Sequence, residues 1–416
     1  MKNIFVYADW IGMREPTRVG TLTSDLIRGK EIFSFSYYKK WLESDYGLLL
    51  DPDLLLYAGP QYLREEKTNF GLFTDSAPDR WGRVLMQRKE AMVAREENRK
   101  PRTLLESDYL LGVADASRMG GLRFKLDESG PFVDSSVRAI PHFTYIRTLE
   151  EASLQFEQSD EADQKMDQWL RLLVGPGSSL GGARPKASVQ GPDGDLWIAK
   201  FPSRNDDHDI GAWEHVVNEL ALKSGLRAAH GVAMKFTEKH HTYMTKRFDR
   251  GVAGRRLHFA SAMTLLGMTD GANAASGASY LQIAEFIMRH GANPHSDLEE
   301  LWQRIVFNIC ISNSDDHLRN HGFLLSPKGW ILSPAYDMNP VPGATGLTLN
   351  ISEHDNQMNL DLARGVAAPF RVGEERREEI IALVLKAVGE WKEVAAMKKI
   401  PRREMDRMAD SFLGSE

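Results

Sequence analysis

The stretch "NSDDHLRNHGFLL", residues 313–325, sets two aspartates, two histidines, one arginine and two asparagines in nine positions before the chain turns apolar. The run "LWQRIVFNICIS" precedes it and the short apolar run "GFLL" closes it, so the polar residues read as a loop between a helix and a strand. The turn "SPKGW" then returns the chain through "ILSPAYDMNP", which predicts a hairpin with Asp337 at the end of its second strand. Asp315, Asn320 and Asp337 are thereby expected near one end of that hairpin. Two carboxylates and an amide so gathered suit phosphoryl transfer. One carboxylate orients or deprotonates an attacking hydroxyl, while the amide and the second carboxylate offer magnesium the hard oxygens it prefers. A polar turn whose Asp and Asn side chains cap helix ends is the other reading of such a loop taken alone.

The five-residue step from Asp315 to Asn320 is that of a protein-kinase catalytic loop, with Asp337 in the place of the metal-binding aspartate. Such chemistry demands a glycine-rich loop, a strand lysine and a helical glutamate upstream. "GPGSSLGGARPKASV", residues 175–189, has four glycines in eight positions, whose backbone can approach phosphate closely, Gly181 and Gly182 among them. It is not a P-loop, because Gly182 is followed by Ala183 and Arg184 where that motif needs Lys and Ser or Thr. "KASVQGPDGDLWIAKF" reads as a hairpin turning at Pro192-Asp193-Gly194, with Lys200 near the end of its second strand as a phosphate-binding candidate. An edge lysine holding its ammonium in water is the plain alternative. The helix "DIGAWEHVVNELALKSG" offers Glu214 and Glu219 as partners for Lys200, and "YMTKRFDR", residues 243–250, suits a hinge whose backbone meets adenine. Order and spacing together favour an ATP-dependent phosphotransferase, since every separate bland reading would have to hold at once.

The rest of the chain is compatible. Its 416 residues, 42% hydrophobic and 26% charged, suit two or three globular domains. A net charge of −6 gives no general footing for coating nucleic acid, so direct nucleic-acid binding by this chain alone is not expected. The single cysteine, Cys310, falls in an apolar run, excludes an intramolecular disulfide and points to burial in a reducing, cytoplasmic setting. No apolar stretch reaches the ~18 residues of a membrane span. "NIFVYADW", "VGTLTS" and "EIFSFSYYKKWL" read as strands. "DRWGRVLMQRKEAMVAREEN" reads as a helix, and "SDEADQKMDQWLRLLVG" as another ending at Gly175. Beyond Arg250 helices dominate, including "SYLQIAEFIMRHGANP" and "REEIIALVLKAVGEWKEVAAM". The expected fold class is α+β, with a mixed N-terminal part and a mostly helical C-terminal lobe.

Together, "SSLGGARPKASV", "WIAKF", "EHVVNELALKSGL", "KRFDR", "NSDDHLRNHGF" and "SPAYDMNP" closely resemble the HipA family of bacterial toxin kinases over about residues 170–345. "RVGTLT" and "LFTDSAPDRWGRVLMQR" look like that family's N-terminal region. The resemblance implies a protein-kinase-like two-lobed fold. It divides the chain into an N-terminal strand-rich region (1–130), a kinase N-lobe (150–250) and a helical C-lobe (251–416). It implies that Lys200 contacts ATP phosphates, that Asp315 is the catalytic base, that Asn320 and Asp337 bind Mg2+, and that Lys246 and Phe248 meet adenine through their backbones. Family members phosphorylate a serine in their own glycine-rich loop, which falls here on Ser179 with Ser178 adjacent. A Ser/Thr kinase toxin that modifies a translation component such as an aminoacyl-tRNA synthetase, held by a cognate DNA-binding antitoxin, is what the resemblance implies. The "GGARPK" loop departs from the best-known members and marks a divergent subgroup, and Ala260 and Ser261 stand where an acidic residue often follows a polar one.

Phosphorylation of Ser179 would add about two negative charges to a loop that must cradle ATP's own phosphates, so it is expected to switch the enzyme off. Three rival readings differ in kind. A small-molecule kinase of the aminoglycoside or choline type shares the Asp-Asn-Asp set but usually carries "HGD", whereas Ser314 precedes Asp315 here. A non-catalytic scaffold for the antitoxin needs a missing catalytic residue, and none is missing. A metallohydrolase would use His317 and His321, four apart, without the helical glutamate that such pairs normally enclose.

Overall fold

A computed structural model of the chain describes residues 1–46, 48–63, 67–78, 80–135, 140–158, 164–177 and 182–413. These form two compact units, one of residues 1–205 with 249–260, the other of 206–248 with 261–416. The stretch 150–250 expected as one N-lobe is therefore shared between them, 150–205 and 249–250 in the first and 206–248 in the second.

The first unit begins with β1 (Lys2–Ala8), β2 (Thr17–Ile27) and β3 (Lys30–Tyr37), where the aromatic and β-branched runs predicted strands, except that the "KKWL" end of the third run is helical. The short helix α1 (Lys39–Leu42) and strand β4 (Pro60–Tyr62) follow, then α2 (Gly71–Thr74), α3 (Arg80–Glu96), α4 (Glu106–Leu111) and β5 (Leu122–Lys125). The five strands pair in the order β4-β3-β2-β1-β5, every neighbour antiparallel. Alternation sets which face is inside: Ile4, Val6 and Ala8 of β1 are fully buried, as are Phe33 and Phe35 of β3. Phe35 meets Phe73 at 5.6 Å between ring centres, and Phe73 meets Phe124 at 6.1 Å, so the buried face closes on aromatic rings. Two helices follow, α5 (Ile146–Gln158) and α6 (Gln164–Gly177), then the hairpin β6 (Lys186–Gln190) and β7 (Leu196–Lys200). The hairpin turns where expected, with Gly194 at φ +80°. Helix α6 runs two residues past Gly175, and α5 is a separate helix ahead of it whose Ile146, Leu149, Ala152 and Phe156 are buried. The acidic start of "SDEADQKMDQWLRLLVG", residues 159–163, lies outside the described residues.

In the second unit, α7 (Ile210–Lys223) leads to the hairpin β8 (Gly231–Met234) and β9 (Thr242–Lys246). Asp209 caps α7 by accepting from the Ala212 amide at 3.1 Å, and Gly225, at φ +82°, turns the chain out of the helix. The three-residue strand β10 (Phe259–Ser261) ends the 249–260 stretch counted in the first unit, and from Ser261 the second unit continues with the helices α8 (Ala262–Leu265), α9 (Tyr280–His290) and α10 (Pro294–Cys310). Thirteen successive or near-successive side chains of α10 are buried, including Trp302, Phe307 and Cys310, so α10 is the axis of this unit. Burial pushes the Cys310 thiol up to about 12, so it is an inert core residue. The hairpin β11 (Gly322–Ser326) and β12 (Gly329–Leu332) follows, then α11 (Leu360–Gly365), α12 (Glu374–Gly389), α13 (Trp391–Met397) and α14 (Arg402–Met408). The single helix read across "REEIIALVLKAVGEWKEVAAM" is two, broken at Glu390 just after Gly389. The break lets Trp391 stack on Phe412 at 4.7 Å and lean against Trp213 at 6.1 Å. Among the described residues no helix is long and apolar enough to cross a membrane.

Candidate active site

The polar loop leaves α10 through a left-handed turn: Ser312 has φ +51°, and the Asn313 amide bonds back to the Asn308 carbonyl at 2.9 Å. A non-glycine residue there costs free energy and persists only where its surroundings hold it. The surroundings do so at nearly every position. The Asn313 side chain donates to Asn308 Oδ1 at 3.1 Å, and Thr348 Oγ1 donates to the Ser314 carbonyl at 2.5 Å. The buried Asn320 donates its side-chain nitrogen to the Asp315 carbonyl at 3.0 Å, closing the 3-10 turn Leu318–Asn320 over the loop. Tyr336 donates its hydroxyl to the Arg319 carbonyl at 2.6 Å, and the His321 carbonyl accepts from the Ala262 amide at 2.7 Å. Asp315 itself is exposed, and among the described residues its carboxylate accepts no hydrogen bond.

Partial burial holds the Asp315 carboxyl above the ordinary carboxylate range; His317 opposes the shift, while the negative charges of Asp337 and Asp316 add to it. Asp337 is therefore a near neighbour of Asp315. It does not end the second strand as the sequence suggested: β12 stops at Leu332, and Asp337 lies five residues on, half-buried at φ +58°. Glu214, buried on α7, and Asp337 both act on the Tyr243 phenol of β9, whose burial already pushes it far up. Asp315, Asn320, Asp337 and Glu214 thus belong to one unit. Of the two helical glutamates, Glu219 is occupied by Lys398 and lies 3.5 Å from His215, which leaves Glu214 as the candidate facing Tyr243. The Lys246 amide donates to the His230 carbonyl at 2.8 Å, and the Phe248 ring packs on Tyr336 at 5.3 Å.

Lys200 and the glycine-rich loop lie in the first unit. Lys200 ends β7 and stands directly opposite Lys186 of β6. Gly182 has φ +89°, a conformation that favours glycine, and the Lys186 ammonium lies close enough that a Cβ there would sit 2.6 Å from Nζ and push the flexible lysine end aside. Trp81 fixes the segment by donating its indole nitrogen to the Lys186 carbonyl at 3.1 Å. Ser178, Ser179 and Gly181 lie outside the described residues. Lys186 is a candidate that the sequence reading passed over. The hairpin register would have found it, because a turn centred on 192–194 pairs position 186 with 200.

The donor set suits magnesium in the way phosphoryl-transfer sites use it: one carboxylate, Asp337, and one amide oxygen, Asn320, with the remaining positions left to substrate oxygens and water. Among the described residues no group of three or more His, Cys, Asp or Glu is arranged to hold a metal alone, and His321 is engaged by Asp316 at 2.9 Å.

Across 98% of its length the structure matches HipA from the complex of the Shewanella oneidensis toxin–antitoxin system HipA and HipB with its operator DNA, at a TM-score of 0.64, 16% identity and 94% coverage of that chain. The fold is thus the mixed α+β fold of HipA. The family model described as HipA-like C-terminal domain matches residues 178–392, more than half of the chain, and the chain belongs to that family. Two curated relatives agree. A Haemophilus influenzae protein named "Putative kinase" is 27% identical over 207 residues, 45% of this chain and 58% of the relative. "Putative kinase Y4mE" of Sinorhizobium fredii is 26% identical over 184 residues, 38% and 41% respectively. The chain thus spans about half the length of the curated relatives it matches.

Proposed function

We propose that the chain is an ATP- and Mg2+-dependent serine/threonine protein kinase acting as the toxin of a toxin–antitoxin pair. The observation that carries the reading is the exposed, upshifted Asp315 carboxylate beside Asp337 and Asn320, on a loop held at almost every other position. Asp315 would orient the acceptor hydroxyl and take its proton. Asn320 and Asp337 would hold magnesium, which shields phosphate charge when bound, and Lys200 would contact ATP phosphates. Lys246 and Phe248 would meet adenine, with Glu214 supporting the site. The naming of the Haemophilus and Sinorhizobium relatives supports a kinase, and the HipB-bound Shewanella complex supports a DNA-binding antitoxin as partner. The proposed substrate is a protein of translation, such as an aminoacyl-tRNA synthetase, in the cytoplasm. The enzyme would also label Ser179 or Ser178 in its own loop, which would switch it off by charge repulsion.

Intact-mass analysis after incubation with ATP and Mg2+, beside Asp315→Asn, tests the reading. The expected result is one added phosphate mapping to Ser178 or Ser179, absent from the variant. Neither self-labelling nor ATP turnover on added protein, at any ATP concentration tried, would reject it.

A further inference from the structure

Asp316, the neighbour of the proposed base, is buried, and one of its oxygens gathers three donors from separate elements. Tyr280 Oη of α9 donates to Asp316 Oδ2 at 2.5 Å, Asn308 Nδ2 of α10 at 2.6 Å and His321 Nε2, at the loop's far end, at 2.9 Å. The Asn308 side-chain oxygen in turn accepts from Asn313, so the network reaches both ends of the loop. The Tyr280 and His321 rings also meet edge to face at 5.5 Å. His321 Nδ1 is buried with no partner among the described residues, so the ring's single polar engagement there is with Asp316. A carboxylate with these donors is a strong, directional anchor, and removing it strands three buried polar groups at once. Its alternative as a plain helix or turn cap does not fit: a cap bonds backbone amides, and all three donors here are side chains.

We propose that Asp316 is the positioning residue of the site, clamping the 313–321 loop to α9 and α10 so that Asp315 and Asn320 are presented in one fixed relation. The inference rests on the kinase reading for its catalytic consequence, while the clamp itself stands on geometry alone. Asp316 touches no reacting atom; it acts through Asp315, and a misplacement of about an ångström in a base suffices to cost about a hundredfold in rate.

The test compares wild type, Asp316→Asn, Tyr280→Phe and the double variant in steady-state phosphotransfer, alongside amide hydrogen exchange of residues 313–322. Asp316→Asn should lower kcat by about tenfold or more, as expected for loss of hydrogen bonds to a charged group, with the KM for ATP within about twofold of wild type. Loop exchange should rise, and melting should fall as the buried donors lose their charged partner, while ATP binding holds. Tyr280→Phe, which removes one hydroxyl, should show a smaller loss, and the double variant should lose little beyond Asp316→Asn because both act through one anchor. An unchanged kcat in Asp316→Asn overturns the proposal, as does a fall in kcat matched by an equal loss of ATP binding. If wild type transfers no phosphate, the kinase reading has failed instead, and loop exchange alone decides: equal protection in wild type and Asp316→Asn overturns the clamp.

Discussion

At the scale of single residues, the site is a contrast between one exposed group and its restrained surroundings. Asp315 is left open while Asn313, Ser314, Arg319, Asn320 and His321 are each bonded, so side-chain entropy is removed from the scaffold and not from the acceptor side. The upshift of Asp315 has a signed consequence. A base works as the carboxylate, and its folded-state value lies above the ordinary 3.8 of an aspartate. Phosphotransfer should therefore fall as pH drops through that raised value, earlier than for an ordinary aspartate. The acid limb of kcat/KM against pH is the measurement. Asp315→Asn should be slower by about 10²–10⁴-fold and show no such limb. A wild-type limb that survives unchanged in the residual activity of the variant would assign it to another group.

At the scale of elements, periodicity revealed most of the scaffold and residue chemistry nominated the candidate site, for different reasons. The N-terminal strands, α3, α7, α9 and α10 carry regular apolar spacing, and their cores follow from it. Breaks do not follow from spacing: the apolar stripe continues from α12 into α13, and only the stacking of Trp391 on Phe412 reveals why the chain stops at Glu390. Asp315, Asn320 and Asp337 were legible as candidates because their residue types and order suggest a chemistry. The role of Asp316 was not, because its partners Tyr280 and Asn308 stand on helices, Tyr280 36 positions away, and nothing local marks them. The cap of α7 shows how one polar residue can join two elements. Asp209 accepts from the Ala212 amide, from the His241 amide at 2.9 Å and from the His241 ring at 2.6 Å, tying the start of α7 to the β9 side of its hairpin. Asp209→Ala should cost about 1–3 kcal/mol, more than a cap that bonds only its own helix. Urea titration with an unchanged m-value would measure it, and a loss under about 0.5 kcal/mol would show that water replaces these bonds.

At the scale of the whole molecule, a formal charge of −6 on 416 residues is too small for general self-repulsion to dominate stability, so individual buried groups should govern its response to pH. Asp51 in the first unit is the clearest. It is fully enclosed, and burial pushes its carboxyl up to about 6 although the Leu72 and Asp53 amides, at 2.8 and 2.9 Å, favour the charged form. Asp53 adds to the upshift and Lys67 opposes it. Because the folded value exceeds the unfolded 3.8, the folded state holds this proton more tightly. The resulting contribution is complete below pH 3.8 and is lost as pH rises through about 6, an effect of about 3 kcal/mol at one pKa unit per 1.36 kcal/mol. Wild type should therefore lose stability, relative to Asp51→Asn, between about pH 4 and 7. The variant cannot accept both amides and should be weaker at low pH, but its profile should be flatter across that window. Unfolding free energies from urea titrations at several pH values give the comparison directly. Parallel profiles for the two proteins would mean that Asp51 stays ionised in its enclosure, with the two amides outweighing the loss of water.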